Sequence, residues 1–196
     1  MTSLTLPFKV DLSQVHLTDE QFYQMCISNP DLNIERDAKG VLIFMSPVGG
    51  DSGRREADYI TDLNIWNRQT GLGFVFSSST MFKLPLGGNR APDAAWVECS
   101  RWQSLTPEQR QKFPPLAPDF VIELRSRTDK LDILQEKMQE YMISGVRLGW
   151  MLNPQDQQVE VYRQGQVKEV RSLPTQLCGE AVLPDFILQV DRFTED

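Results

Sequence analysis

Histidine is almost absent from this chain, His16 being the only one. Zinc hydrolase chemistry and Ser–His relays therefore have almost no raw material, and catalysis would have to rest on carboxylates and lysine. Cysteine is scarce too: Cys26, Cys99 and Cys178 are odd in number, far apart and outside any metal-ligand spacing, a usage that fits a reducing compartment. No apolar run approaches the roughly 18–20 residues of a membrane span. Residues 1–7 lack the basic start and apolar core of a signal peptide, so the expectation is a cytoplasmic chain with no membrane partner. Positive charge is in deficit, at a formal net charge of −7. Proteins that grip DNA nonspecifically usually carry a basic footprint, so a nucleic-acid site here would be a local basic strip on an acidic body, assisted by metal ions.

What is present is enough for one domain with a full core: 196 residues, 40% of them hydrophobic. No low-complexity tract, repeat or linker divides the chain. We read a single domain over 1–196, with 1–30 as an N-terminal helical extension and 101–118 as a Pro-bounded insertion. Thr18-Asp19-Glu20-Gln21 has the form of a capping box and starts a helix to about Ser28, stopped by Asn29-Pro30. Residues 33–36 and 41–45 form a hairpin around Gly40, and 49–53 a glycine loop feeding a helix from about Arg54 to Thr70. Strands follow at 73–76, 81–84, 91–97 and 119–125, then a helix at 131–142, a buried strand at 147–152 and a hairpin around Gly165. Thr106-Pro107-Glu108 opens a helix inside the insertion. This order predicts an α/β (α+β) domain with a mixed central sheet flanked by helices.

Four residues stand out against that frame. Asp93 follows Pro92 at the start of a largely apolar strand; a bland role is a turn carboxylate bonded to nearby N–H groups. Glu123 follows Phe120-Val121-Ile122, so its carboxylate needs a cation, a metal or a proton, Arg125 or Arg127 being the simple partners. Lys137 sits on the edge of the stripe formed by Leu131, Leu134, Met138, Tyr141 and Met142, able to bury its stem and extend its ammonium to a strand end. Its bland alternative is a solvated lysine paired with Glu136 or Glu140. Glu56 shares a helix face with Ile60, Leu63 and Asn67, which makes it either a partner of the helix dipole or a further metal or water ligand. Two carboxylates on adjacent strands with a cation nearby are what a Mg²⁺-dependent phosphodiesterase site requires. The glycines at 49, 50 and 53 form no phosphate loop, since Arg54-Arg55 stand where Lys-Ser or Lys-Thr is needed.

The order Glu56, Pro92-Asp93, Glu123-Leu124-Arg125, Lys137 resembles the PD-(D/E)XK superfamily. More closely, Pro118 to Ser126, Glu136 to Tyr141, Gly145 to Pro154, Ile65-Trp66-Asn67 and Leu183-Pro184-Asp185-Phe186 resemble the Uma-two family of restriction-endonuclease-like proteins. The resemblance spans about Phe22 to Phe193. It implies a restriction-endonuclease-like core and a metal-dependent endonuclease acting on phosphodiester bonds, DNA first among substrates, with Mg²⁺ or Mn²⁺ as cofactor. It also implies Asp93 and Glu123 as metal ligands and Glu56 as the helix carboxylate of the site. The superfamily lysine usually sits two residues after the glutamate; that place is Arg125 here, and Lys137 is its migrated replacement. Arginine stays protonated and cannot act as a base, though it can stabilise a phosphorane. Lys130, Arg127 and Arg90 would form the strip that meets phosphates, and a homodimer is left open. The rival reading is a catalytically weak or inactive member serving as an interaction module.

Overall fold

The structure, a computed structural model, describes residues 6–190; residues 1–5 and 191–196, the ends of the expected domain, lie outside the described residues. In chain order the elements are β1 (Phe8–Asp11), α1 (Asp19–Ser28), β2 (Ile34–Arg36), β3 (Val41–Phe44), α2 (Gly50–Thr70), β4 (Gly73–Ser77), β5 (Phe82–Lys83), β6 (Asn89–Arg90) and β7 (Ala94–Glu98). Then come α3 (Cys99–Gln103), α4 (Pro107–Gln111), β8 (Phe120–Leu124), α5 (Leu131–Ile143), β9 (Leu148–Asn153), β10 (Gln158–Arg163), β11 (Glu169–Ser172), β12 (Gln176–Cys178) and β13 (Ile187–Gln189). The class is the expected one: a mixed central sheet flanked by helices.

The central sheet has the order β11-β10-β9-β8-β7-β4, in which only β8 and β9 run parallel. Helix α5 makes the crossover that a parallel pair requires. Alternate residues of the strands serve two cores. Ala94, Trp96, Phe120, Ile122 and Trp150 pack with Tyr59, Leu63 and Trp66 of α2. Ala95, Val97, Val121 and Met151 pack with Leu134, Met138, Tyr141 and Met142 of α5. Burial on both faces explains why β8 and β9 read as continuous apolar runs.

A second, five-stranded antiparallel sheet, β1-β3-β2-β6-β5, is built mainly from the N-terminal part. The N-terminal extension expected to be helical over 1–30 thus contains a strand at residues 8–11 besides α1, because these residues pair with β3. The capping box of α1 forms, Thr18 and Gln21 each accepting from the other's backbone N–H. A matching box at Thr106 and Gln109 starts α4, with Pro107 in its first turn. Helix α2 begins four residues before the predicted Arg54: the glycine segment is wound into its first turn, closed by Gly53 N–H donating to Gly49 O at 3.0 Å. Extending a helix already anchored by its packed face costs far less than nucleating one, which offsets the weak propensity of glycine. Gly71 ends it in the left-handed region at φ 64°.

Gly73 marks the closest approach of β4 to β7. A Cβ there would lie 2.3 Å from Val97 O and 2.4 Å from the Trp96 ring, and its N–H donates to Asn67 Oδ1, which also accepts from Trp96 Nε1 at 2.8 Å. Gly73→Ala should lower stability by about 1–3 kcal/mol through overpacking. Urea unfolding measures this, and an unchanged midpoint would mean that β4 can move away from β7 at little cost.

Candidate active site

The chain passes between the two sheets more than once, by the shortest path between β6 and β7. Strand β6 belongs to the N-terminal sheet, β7 to the central one, and Ala91-Pro92-Asp93 is the joint between them. Extending the β7–β8 register by one residue, from Ala94 opposite Ile122, brings Asp93 opposite Glu123. Asp93 Oδ2 accepts the Leu124 N–H at 2.6 Å, so the carboxylate is fixed to the exit of β8.

Lys137 reaches the joint from α5. Its Nζ is 2.8 Å from Glu123 Oε1, 2.9 Å from Glu35 Oε1 and 3.3 Å from Ala91 O. Tyr141, one turn further along α5, donates its hydroxyl to the same Glu123 Oε1 at 2.9 Å. Glu35 also accepts the Ala91 N–H at 3.0 Å and pairs with Arg90 Nη1 at 3.0 Å, and Arg90 Nη2 pairs with Glu140 Oε2 at 2.5 Å. Glu35 and Glu123 are each only 3% exposed and Lys137 8%. Among the described residues, Asp93 and Glu123 each use one oxygen in these hydrogen bonds.

One ammonium thus stands among three carboxylates, and burial together with these charges shifts their protonation equilibria. Burial works against the charged form of Lys137, but Glu123, Glu35 and Asp93 outweigh it and push its pKa up. Burial also disfavours ionised Glu35, yet Lys137 and Arg90 hold it below the usual carboxylate range. Glu123 is raised to about 6, first by burial and also by the charge of Glu35, against the pull of Lys137. Asp93 is raised well above its ordinary value by burial, then by Glu123 and more weakly by Glu56. Tyr59 of α2 is buried in the same field and raised by burial, then by Asp93, Glu56 and Glu123. The opposite fortunes of Glu35 and Glu123 follow from their neighbours: Glu35 has two cations beside it, while Glu123 shares one with other carboxylates.

Of the residues singled out in the sequence, Asp93, Glu123 and Lys137 come together, and half-buried Glu56 lies near enough for its charge to act on Asp93 and Tyr59. Arg125 is not part of this group. Its guanidinium pairs with Asp156 at 2.7 Å and bonds Asn153 Oδ1 and Asp129 O. Arg90, expected on a phosphate-facing strip, is 5% exposed and committed to Glu35 and Glu140; burial between two carboxylates removes it from the surface. Arg127 and Lys130 are exposed. Glu35 escaped the sequence reading because nothing in a short hairpin strand marks which of Glu35 and Arg36 faces a distant helix.

Among the described residues no set of three or more His, Cys, Asp or Glu side chains is arranged to hold a metal ion. Two opposed carboxylates whose crowding favours a neutralising charge do fit Mg²⁺, which keeps several waters and is commonly bound by only one or two carboxylates. They do not fit an ion that demands a closed cage of protein ligands. Two cavities, of about 500 and 200 Å³, lie elsewhere and are not lined by Glu56, Asp93, Glu123 or Lys137.

A family model described as "Uma2: Putative restriction endonuclease" matches residues 19–191. The chain belongs to the Uma2 family. The fold is shared with a solved structure, the crystal structure of "a putative nuclease belonging to DUF820" from Anabaena variabilis ATCC 29413. It superposes with a TM-score of 0.69 at 18% identity, over 82% of this chain and 89% of that one. At that identity the likeness speaks for the fold. No curated protein matches the chain. Among the described residues no helix is long and apolar enough to cross a membrane.

The raised Glu123 has a measurable signature in metal-free buffer. A carboxyl whose folded pKa exceeds its unfolded value stabilises the fold at low pH, and that contribution is lost as pH rises from about 4.5 through about 6. Glu123→Gln should therefore gain on the wild type across that window, by about 2 kcal/mol, following the size of the shift. Urea unfolding at a series of pH values checks it; a pH-independent difference would place Glu123 in an ordinary, well-paired environment.

Proposed function

We propose that this chain is a divalent-metal-dependent nuclease that hydrolyses phosphodiester bonds in nucleic acid, with DNA as the foremost substrate. The observation that carries the reading is the opposed pair Asp93 and Glu123, fixed in place by Leu124 N–H, Tyr141 and Lys137, with both carboxyl groups held above their usual range, chiefly by burial. Membership of the Uma2 family supports the same class of chemistry. Asp93 and Glu123 would hold Mg²⁺ or Mn²⁺, which when bound supplies Lewis acidity and a water of lowered pKa.

The remaining roles belong to the chain itself. Lys137 keeps Glu123 ionised and oriented, and contributes positive charge where the phosphate gains negative charge in the transition state. Glu56 offers a further acceptor that orients water at the mouth of the site. Arg125 closes the ends of β8 and β9 through Asp156 and Asn153 and serves the scaffold. Exposed Arg127 and Lys130, close in sequence to the exit of β8, meet substrate phosphates.

Two experiments test this reading. Mg²⁺ or Mn²⁺ should raise the melting temperature, because only the folded state presents the carboxylate pair, and Asp93→Ala should abolish the shift. An equal response in both proteins would mark a surface effect. In cleavage assays with Mn²⁺, Asp93→Asn and Glu123→Gln should each lower turnover by roughly 10²-fold or more, while Arg125→Met stays within a few-fold of wild type. A reversed ranking would return the cationic role to Arg125. Absence of metal-dependent cleavage across single-stranded and duplex DNA and RNA would favour the interaction module, a reading for which the withdrawal of Arg90 from the surface already speaks.

A further inference from the structure

Glu35 belongs to the N-terminal sheet and plays no part in the roles assigned above, yet it holds the only cation found against Glu123 among the described residues. An ammonium has three protons, and Lys137 directs them to three acceptors: Glu123 Oε1, Glu35 Oε1 and Ala91 O. Without Glu35 the lysine would have one carboxylate and one carbonyl, and its flexible four-carbon stem would no longer be fixed on both sides. Glu35 is itself held by Ala91 N–H on one oxygen and Arg90 on the other, and Arg90 also pairs with Glu140.

We propose that Glu35 is a positioning residue that fixes the Lys137 ammonium on Glu123, making the N-terminal sheet an integral part of the site. The catalytic consequence rests on the nuclease reading, whereas the geometric consequence does not. A residue that merely stapled the two sheets together would affect stability alone. Glu140 supplies the control: it braces Arg90 at the same junction but makes none of the contacts to Lys137.

The test compares Glu35→Gln with Glu140→Gln in the full chain. With lysine side-chain nitrogens labelled with ¹⁵N and the Lys137 signal assigned through Lys137→Arg, wild type and Glu140→Gln should show a slowly exchanging Lys137 ammonium resonance. Glu35→Gln should lose it. With a labelled DNA oligonucleotide and Mn²⁺, Glu35→Gln should lower kcat about tenfold or more with KM within about twofold, while Glu140→Gln keeps its kcat despite a similar fall in melting temperature. Should Glu35→Gln fail to fold, Glu35→Asp carries the same comparison, since it retains a charge for Arg90 but draws the carboxylate back from Lys137. Survival of the ammonium signal in the Glu35 variant, or loss of turnover by both variants in proportion to their melting temperatures, overturns the proposal. If wild type cleaves none of the DNA offered, the nuclease reading is what fails, and the resonance alone decides the role of Glu35.

Discussion

The Lys137 ammonium is the interaction on which the rest of this structure depends. It lies where the N-terminal sheet, the central sheet and α5 meet, and it touches a group from each: Glu35, Glu123 and, through Ala91, the joint between the sheets. Glu35 and Glu123 are almost wholly buried, where an unpaired carboxylate would be strongly destabilising; both pair with this ammonium, and Glu35 pairs with Arg90 as well. Burial first, then the charge of neighbouring carboxylates, holds Glu123 and Asp93 above their ordinary range, while Lys137 and Arg90 hold Glu35 below it.

Much of this was legible in the sequence because the signals were local. Capping boxes at Thr18 and Thr106, the glycine at 71, the Asn29-Pro30 stop and the apolar runs of β8 and β9 each fix an element through its own residues. The convergence of Asp93, Glu123 and Lys137 followed from strand ends and helix stripes, reinforced by the family resemblance. What was not legible depends on contacts between distant segments. Glu35 and Arg90 face each other because β2 and β6 pair, through Arg36 opposite Asn89, and nothing within either strand announces that pairing. The first turn of α2 was misjudged for a related reason: glycine propensity describes an isolated segment, whereas the packed stripe of Tyr59, Leu63 and Trp66 anchors the helix as a whole.

Arg125 shows how a motif position and the contacts of its side chain can separate. Two residues beyond a strand glutamate is the natural place for a cation facing the same cleft. Here, however, β8 ends at Leu124, and the chain turns through Ser126, whose N–H donates to Asp129 Oδ2, before entering α5. The guanidinium is drawn to Asp156 and Asn153 at the end of β9. A lysine on α5 fills the gap, because the crossover helix lies across the same face of the sheet that presents Glu123.

The joint at Ala91-Pro92-Asp93 has a consequence for how the chain comes together. Glu35, Asp93, Glu123 and Lys137 are supplied by four segments well separated in sequence, and bringing them together requires both sheets to be formed and docked. Such contacts carry a large loop-closure cost and are rewarded only late in folding. A fragment without either sheet would lack part of this set. The cluster therefore exists only where both sheets are docked, and its contacts report on completion of the fold.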